Sequence, residues 1–366
     1  MAVYKIFAEK DTTIYSDYGT LNSGMDPILE LSKNVSLYYD SQSSAARFLI
    51  KFADDDMSNV INNYIGTASY SSSLKLYLAD ASGLPTDYSI ETFPISGTWD
   101  MGTGRFGDSP INTDGASWKY MNSDSTGPWK LSSFTAGVTA SYTTTNVGGG
   151  TWYYRSGSKQ SFGVYIDKDV NIDVTNAVKA FITGSIPNEG FIVKLSGSIE
   201  FNKAYTFSLN YFGRDTNTVY PPVLEFKWDD SKYVTSGSSV TQVSSQDVRV
   251  SLSNNKGEFN QNEIQRFRLN VRDQFPVRTY ATSSIYTTQK YLPATSYYSI
   301  KDVKSDNVII DFDNNFTKIS ADTQGNYFDI YMYGLEPERY YKILIKTIIG
   351  GSTLILDNQY FFKVLE

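Results

Sequence analysis

Stretch after stretch of this chain alternates apolar and polar side chains, the two-residue period of a β-strand with one face buried and the other in water. Phe267, Leu269 and Val271 share one face, against Arg266, Arg268, Asn270 and Arg272 on the other. Val248, Val250 and Leu252 repeat the pattern, as do Leu74, Leu76 and Leu78. Farther on, Phe328, Ile330 and Met332 oppose Tyr327, Asp329, Tyr331 and Tyr333. Tyrosine suits such outward positions, because it favours extended backbone and carries a polar tip. One segment departs: Val174, Val178, Phe181 and Ile182 follow a four-residue spacing, with Asp173 placed as N-cap and Gly184 as terminator, which predicts a single short helix. The pattern as a whole predicts an all-β chain.

At 366 residues the chain exceeds what one core fills, so two domains are expected. The segment 229–241, with Asp229-Asp230 and Ser236-Gly237-Ser238-Ser239 and little apolar content, reads as the linker. This gives an N-terminal β-sandwich over 1–228, interrupted by a long insertion at 101–158, and a C-terminal sandwich over 242–366 whose seven or so strands have an immunoglobulin-like profile without the cysteine pair. From Val240 onward the chain carries 14 basic and 14 acidic residues, so the whole net charge of −7 belongs to the first 239.

Composition then narrows the chemistry. No histidine or cysteine is present, which removes the side chain that titrates nearest neutrality, the thiolate nucleophile, and imidazole or thiolate zinc sites. No pair of carboxylates stands out for glycoside hydrolysis, and the chain is read as not an enzyme, with no cofactor and no metal. A negative balance without basic runs argues against nucleic acid. The longest apolar run, Ile343 to Ile349, is broken by Lys346 and falls far short of the roughly 20 residues of a spanning helix, so no membrane partner is expected. The opening Met1-Ala2-Val3-Tyr4-Lys5 lacks the pattern of a signal peptide, which points to synthesis in the cytoplasm.

Several motifs have a bland and a functional reading. Gly102-Thr103-Gly104-Arg105-Phe106-Gly107 matches the dinucleotide fingerprint in letters, but Asp108-Ser109-Pro110 follows where a helix should start, so it reads as a loop. Gly148-Gly149-Gly150 reads as flexibility within the insertion. Asp54-Asp55-Asp56 could gather oxygen ligands for calcium, but adjacent acids on an extended chain point apart, and a solvated turn is the expectation. Four of the five tryptophans, Trp99, Trp118, Trp129 and Trp152, fall between Gly97 and Ser158, with Phe106, Tyr120, Tyr142, Tyr153 and Tyr154. They either anchor the insertion onto the sandwich or form a contact surface. In the second case Trp118, Trp129, Trp152, Tyr153 and Tyr154 are the candidates for a subunit interface or a glycan platform.

A series of short motifs runs in order along the first 228 residues: Lys10-Asp11-Thr12-Thr13-Ile14-Tyr15, Leu21-Asn22-Ser23-Gly24, Ile28-Leu29-Glu30-Leu31, Arg47-Phe48-Leu49-Ile50-Lys51-Phe52, Ser73-Leu74-Lys75-Leu76-Tyr77-Leu78, Trp99, Asp173-Val174-Thr175, Asn188-Glu189-Gly190-Phe191, and Pro221-Pro222-Val223-Leu224-Glu225-Phe226. Together they resemble the DNRLRE-type jelly-roll domain, a carbohydrate-binding-module-like sandwich, with Asp100 where an acid of that family is often Glu. The proline pair fits the launch of a last strand at a sheet edge. The tail, from Asn326-Tyr327-Phe328-Asp329 to Arg339-Tyr340-Tyr341, is similar to immunoglobulin-like domains of tailed-bacteriophage virion proteins. What the two resemblances imply is a virion structural protein of neck, tail or appendage, partnered by copies of itself in a symmetric oligomer and by other virion proteins. The alternative they imply is a module for a carbohydrate or a host receptor.

Overall fold

Strands are the main regular structure of the computed structural model, which describes residues 2–35, 43–123, 127–130, 136–138, 148–200, 202, 204–235, 240–276 and 289–366. The chain divides into two compact units, one of Ile6–Tyr64 with Ser71–Glu225, the other of Met1–Lys5 and Ile65–Tyr70 with Phe226–Glu366.

Fourteen strands precede Asp229: β1 (Ala2–Phe7), β2 (Lys10–Tyr15), β3 (Ile28–Val35), β4 (Ser43–Lys51), β5 (Tyr70–Leu76), β6 (Leu78–Ser82), β7 (Tyr88–Pro94), β8 (Ala136–Val138), β9 (Gly148–Trp152), β10 (Ser158–Phe162), β11 (Val170–Asp173), β12 (Phe191–Leu195), β13 (Phe207–Phe212) and β14 (Val223–Trp228). The larger sheet runs β10-β7-β12-β4-β3-β13-β6, with β2 also paired to β4, and a second sheet runs β1-β14-β5-β11. Alternation explains why these segments pair: along β7 the burial strictly alternates, with Tyr88, Ile90, Thr92 and Pro94 inward.

Several expectations are corrected here. Leu74 and Leu76 are buried on β5, but the chain turns at Tyr77 and Leu78 opens β6, whose partner is β13. Pro221-Pro222 does not launch an edge strand, since β14 lies between β1 and β5. Asp54-Asp55-Asp56 is not a turn but the first turn of a helix, Asp54–Asn59, that buries Met57. Such acids oppose the positive end of the helix dipole. The expected helix is present at Thr175–Ile182, but its N-cap is Val174 and not Asp173, which ends β11 and accepts from the Thr175 N–H at 2.9 Å through Oδ1; Gly184, at φ +69°, follows its C-cap Thr183.

In the second unit, β15 (Thr241–Gln242), β16 (Val248–Leu252), β17 (Glu258–Asn260), β18 (Ile264–Asp273), β19 (Lys290–Tyr291), β20 (Ser296–Asp302), β21 (Val308–Ile310), β22 (Ser320–Asp322), β23 (Gly325–Tyr331), β24 (Tyr340–Ile349) and β25 (Ser352–Leu365) form two sheets. One runs β15-β19-β18-β23-β22 with β16 also on β18, the other β17-β25-β24-β20-β21. Phe267, Leu269, Val271, Phe328, Ile330, Met332, Ile343, Ile345, Phe362 and Val364 fill the core of this sandwich. The outward side chains pair as the alternation required: Arg266 binds Asp329 through two hydrogen bonds of 2.8 Å and lies 4.2 Å from the Tyr327 ring centre. Segment 229–241, expected as a linker, is tied down where it is described. Tyr233 Oη donates to the Leu292 carbonyl at 2.5 Å, and the Ala321 N–H donates to the Lys232 carbonyl at 2.8 Å.

Candidate functional site

The insertion is built on tryptophan. Trp99, Trp118, Trp129 and Trp152 are all buried in one cluster with Ile14, Ala45, Leu49, Ile95, Ala116 and Ile192, so they pack the insertion against one face of β2, β4 and β12. Two indoles are pinned by hydrogen bonds from Nε1, Trp99 to the Glu189 carbonyl (2.8 Å) and Trp129 to the Ser117 carbonyl (3.0 Å). Trp118, Trp129 and Trp152 therefore offer no exposed stacking face, which corrects the expectation of a platform there. Of the other two candidates, Tyr153 is half-buried and Tyr154 is exposed beside Arg155. Tyr142 lies outside the described residues.

Glycine makes this packing close. Gly148, Gly149 and Gly150 are buried in β9, not loose: a side chain at Gly148 would meet the Trp118 ring at 2.8 Å, and Gly150, at φ +86°, faces Ile192. The literal dinucleotide motif is indeed a loop, and its first two glycines, Gly102 and Gly104, close around Asn22. The Asn22 carboxamide donates to the carbonyls of Met101 (2.7 Å) and Ala116 (3.0 Å), and its Oδ1 accepts from the N–H groups of Gly104 (2.9 Å) and Gly24 (3.2 Å).

Beneath the tryptophans lies a buried ionic network that periodicity alone did not announce. Arg47 on β4 donates to both carboxylate oxygens of Glu200 at 2.7 Å and to the Gly149 carbonyl at 2.6 Å, with its guanidinium 5.1 Å from the Trp118 ring centre and 5.4 Å from that of Trp152. Lys194 stands directly across from Glu91 in the β12–β7 register, donates to it at 3.1 Å, and lies 3.8 Å from Glu200. Burial pulls the Lys194 ammonium below its ordinary value, and the Glu200 charge opposes that shift. Every charge here has a partner and the ring faces are covered, so the cluster holds the insertion in place and leaves no room for a substrate.

Two surface features remain. The first is a groove of about 220 Å³ at β2, β3 and β4, lined by Tyr15, Asp17, Tyr18, Glu30, Asn34 and Phe106 with Ser16, Ser32, Ser44 and Ala45 between them. Phe106 packs on Tyr15 (4.9 Å between ring centres) and edge-on against Tyr18 (5.3 Å), and its N–H donates to Asp26 Oδ2 at 3.0 Å, which fixes the loop. Burial, with the nearby Glu30 and Asp26 charges, pushes the Tyr15 hydroxyl far above its ordinary range, so it stays protonated. The stripe Glu30, Ser32, Asn34 is legible as alternate polar positions on one face of a strand; the meeting with Phe106, more than seventy residues away, is not.

The second is the β10–β11 loop, which exposes Val164, Tyr165 and Ile166, Tyr165 completely. Lys168 Nζ donates to the carbonyls of Gly163 (2.6 Å), Ile166 (2.5 Å) and Val164 (3.3 Å), so one ammonium staples the loop that carries the three apolar side chains. No helix of the described residues is long and apolar enough to cross a membrane, and among them no group of three or more acidic side chains could hold a metal ion.

No family model matches the sequence, and no curated protein matches it. Among solved structures, the β-glucuronidase of Parabacteroides merdae with glycerol in its active site is similar over 99% of this chain and 36% of its own, at 10% identity and a TM-score of 0.18. A second structure of that enzyme gives 96%, 36%, 9% and 0.17. The chain thus spans about a third of that protein, and a likeness at this score carries no argument.

Proposed function

We propose that this chain is a non-enzymatic structural protein of a tailed-bacteriophage virion, part of a neck, tail or appendage, and that it works by binding copies of itself and neighbouring virion proteins. The virion assignment rests on the two sequence resemblances. Assembly through a protein contact is carried by one observation, the stapled Val164-Tyr165-Ile166 tip. Exposing three consecutive apolar side chains in water is unfavourable, and holding them on a loop fixed by three hydrogen bonds lowers the entropy lost when they dock. Mass spectrometry of purified particles is expected to find this chain in many copies, and sedimentation of the pure protein is expected to show an oligomer that Val164→Ser, Tyr165→Ser and Ile166→Ser together disperse. A particle lacking the chain contradicts the virion role, and an oligomer indifferent to the three changes contradicts the tip.

A second reading, recognition of a carbohydrate or a receptor glycan, is favoured by the groove at Tyr15, Tyr18 and Phe106. Its aromatic and hydroxyl-bearing lining is the mixture that sugar rings require, apolar faces edged by hydroxyls. The two readings coexist in an appendage protein.

A further inference from the structure

We infer that the groove on β2, β3 and β4 takes the end of a neutral saccharide, with Tyr18 and Phe106 against an apolar sugar face and Glu30, Asp17 and Asn34 receiving its hydroxyls. The inference rests on the recognition reading and names the chemistry and residues of its site. Three observations carry it.

First, the rings are positioned and still accessible. Tyr18 is 47% and Phe106 46% exposed, while Tyr15 is half-buried and packs against Phe106. Their backbone is fixed independently of a ligand: the Tyr18 N–H donates to the Tyr15 carbonyl at 3.3 Å, the Phe106 N–H to Asp26, and the Arg105 N–H to Asp108 Oδ2 at 2.8 Å. A platform held in this way binds without first being ordered.

Second, the rest of the lining suits a polyol. Asp17 and Glu30 are acceptors, Asn34 donates and accepts, and Ser16, Ser32 and Ser44 contribute hydroxyls or their backbone. Ser16 Oγ already accepts from the Ala45 N–H at 2.8 Å. Carboxylates make the stronger hydrogen bonds to sugar hydroxyls, because the acceptor is charged.

Third, charge sets the class. The lining contains two acids and no lysine or arginine; Lys33, between Ser32 and Asn34, is buried, and Arg105, beside Phe106, acts on Asp26. Sialylated, uronic or sulfated sugars are therefore repelled. A quaternary ammonium prefers a box of ring faces. Here Tyr18 stands at 85° to Phe106, the third ring, Tyr15, packs on Phe106 itself, and most of the remaining lining is hydroxyl, amide or carboxylate, which favours a sugar over that cation. At about 220 Å³ the groove is smaller than the roughly 300 Å³ at which drug-sized pockets begin, so it fits a terminal sugar unit and not an internal stretch of polymer.

The test is a glycan array followed by titration calorimetry on the full chain, using neutral hexose and N-acetylhexosamine oligosaccharides, sialylated and uronic oligosaccharides, and choline. Tyr18→Ala, Phe106→Ala and Glu30→Gln are the variants, with circular dichroism as the control for folding. Binding to one or more neutral glycans is expected, weakened roughly tenfold or more by each variant, the scale of one lost ring or charged hydrogen bond. Val164→Ser in the distant loop is expected to leave binding unchanged. Binding confined to acidic glycans, or neutral binding that the three variants leave intact, overturns this inference while keeping the recognition reading. Choline binding without glycan binding overturns the assignment of ligand class, and the absence of any glycan signal overturns both inference and reading.

Discussion

Replacing Glu200 by Gln tests the account of the insertion most severely. The substitution keeps size and shape but removes the carboxylate that receives two hydrogen bonds of 2.7 Å from Arg47 and lies 3.8 Å from Lys194. The side chains of Arg47 and Lys194 are 1% and 6% exposed, so water cannot replace what is lost. Breaking a buried pair from one side costs about 3–5 kcal/mol, because the surviving charge stays desolvated. For a unit of this size each kcal/mol moves Tm by roughly 2–4 °C, so a fall of about 10 °C is expected. Urea unfolding followed by tryptophan fluorescence reads this directly, since Trp118 and Trp152 lie over the Arg47 guanidinium. Lys194 is already held below its ordinary pKa by burial and is the group expected to release its proton in the variant. The fully apolar replacement, Arg47→Met with Lys194→Met and Glu200→Leu, is expected to recover most of the loss, as exchanging whole buried ion networks often does. A loss below about 1 kcal/mol for Glu200→Gln would refute the reasoning, since it would mean that the charges are solvated or that Glu200 is not their partner.

Gly190→Ala is expected to destabilise by about 1–3 kcal/mol in the same denaturation assay, because Gly190 has φ +81° and its new Cβ would collide with the Ile50 carbonyl. Burial raises the Asp11 carboxyl to about 7, opposed by the N–H and charge of Arg214, so the folded state favours the protonated acid. The stability this contributes is full below about pH 4, the unfolded value, and is lost as pH rises through about 7; Asp11→Asn is expected to flatten that slope in a pH series of melts. Acrylamide is expected to quench Trp99, Trp118, Trp129 and Trp152 poorly in the native state and readily in urea; strong native quenching would contradict their burial. Lys168→Met is expected to leave Tm nearly unchanged and to weaken self-association, because it frees the loop without touching the core.

The two-residue period was a sound guide wherever one face meets a core and the other meets water. Phe267, Leu269 and Val271 are buried, and their arginine neighbours lie outside, as the alternation required. It failed where backbone geometry intervened: Leu78 continues the spacing of Leu74 and Leu76, but the turn at Tyr77 moves it to another sheet. The three glycines of β9 looked loose because a sequence does not show that Trp118 and Ile192 occupy the space beside them. The tryptophans were legible as a cluster that either anchors the insertion or forms a contact surface, and burial against Ile14, Leu49 and Ile192 decides for the anchor, which the alternation pattern could not do. Arg47 shares the strand face of the buried Ala45 and Leu49, but the charge breaks the apolar pattern there, and its partner Glu200 lies 153 positions away, so the pairing is set only by the fold. The groove follows the same rule: Glu30, Ser32 and Asn34 are a visible polar stripe, whereas Phe106 arrives from a loop.

The most direct measurement of the central claim, action through presented surfaces, is photo-crosslinking from residue 165. A photoreactive amino acid in place of Tyr165, with a second at Lys304 as a surface control, is introduced into the full chain in assembled particles and illuminated. The account predicts covalent adducts at 165 to a second copy or to a neighbouring particle protein, and few at 304. Equal labelling at both positions, or none at 165 in intact particles, would contradict it.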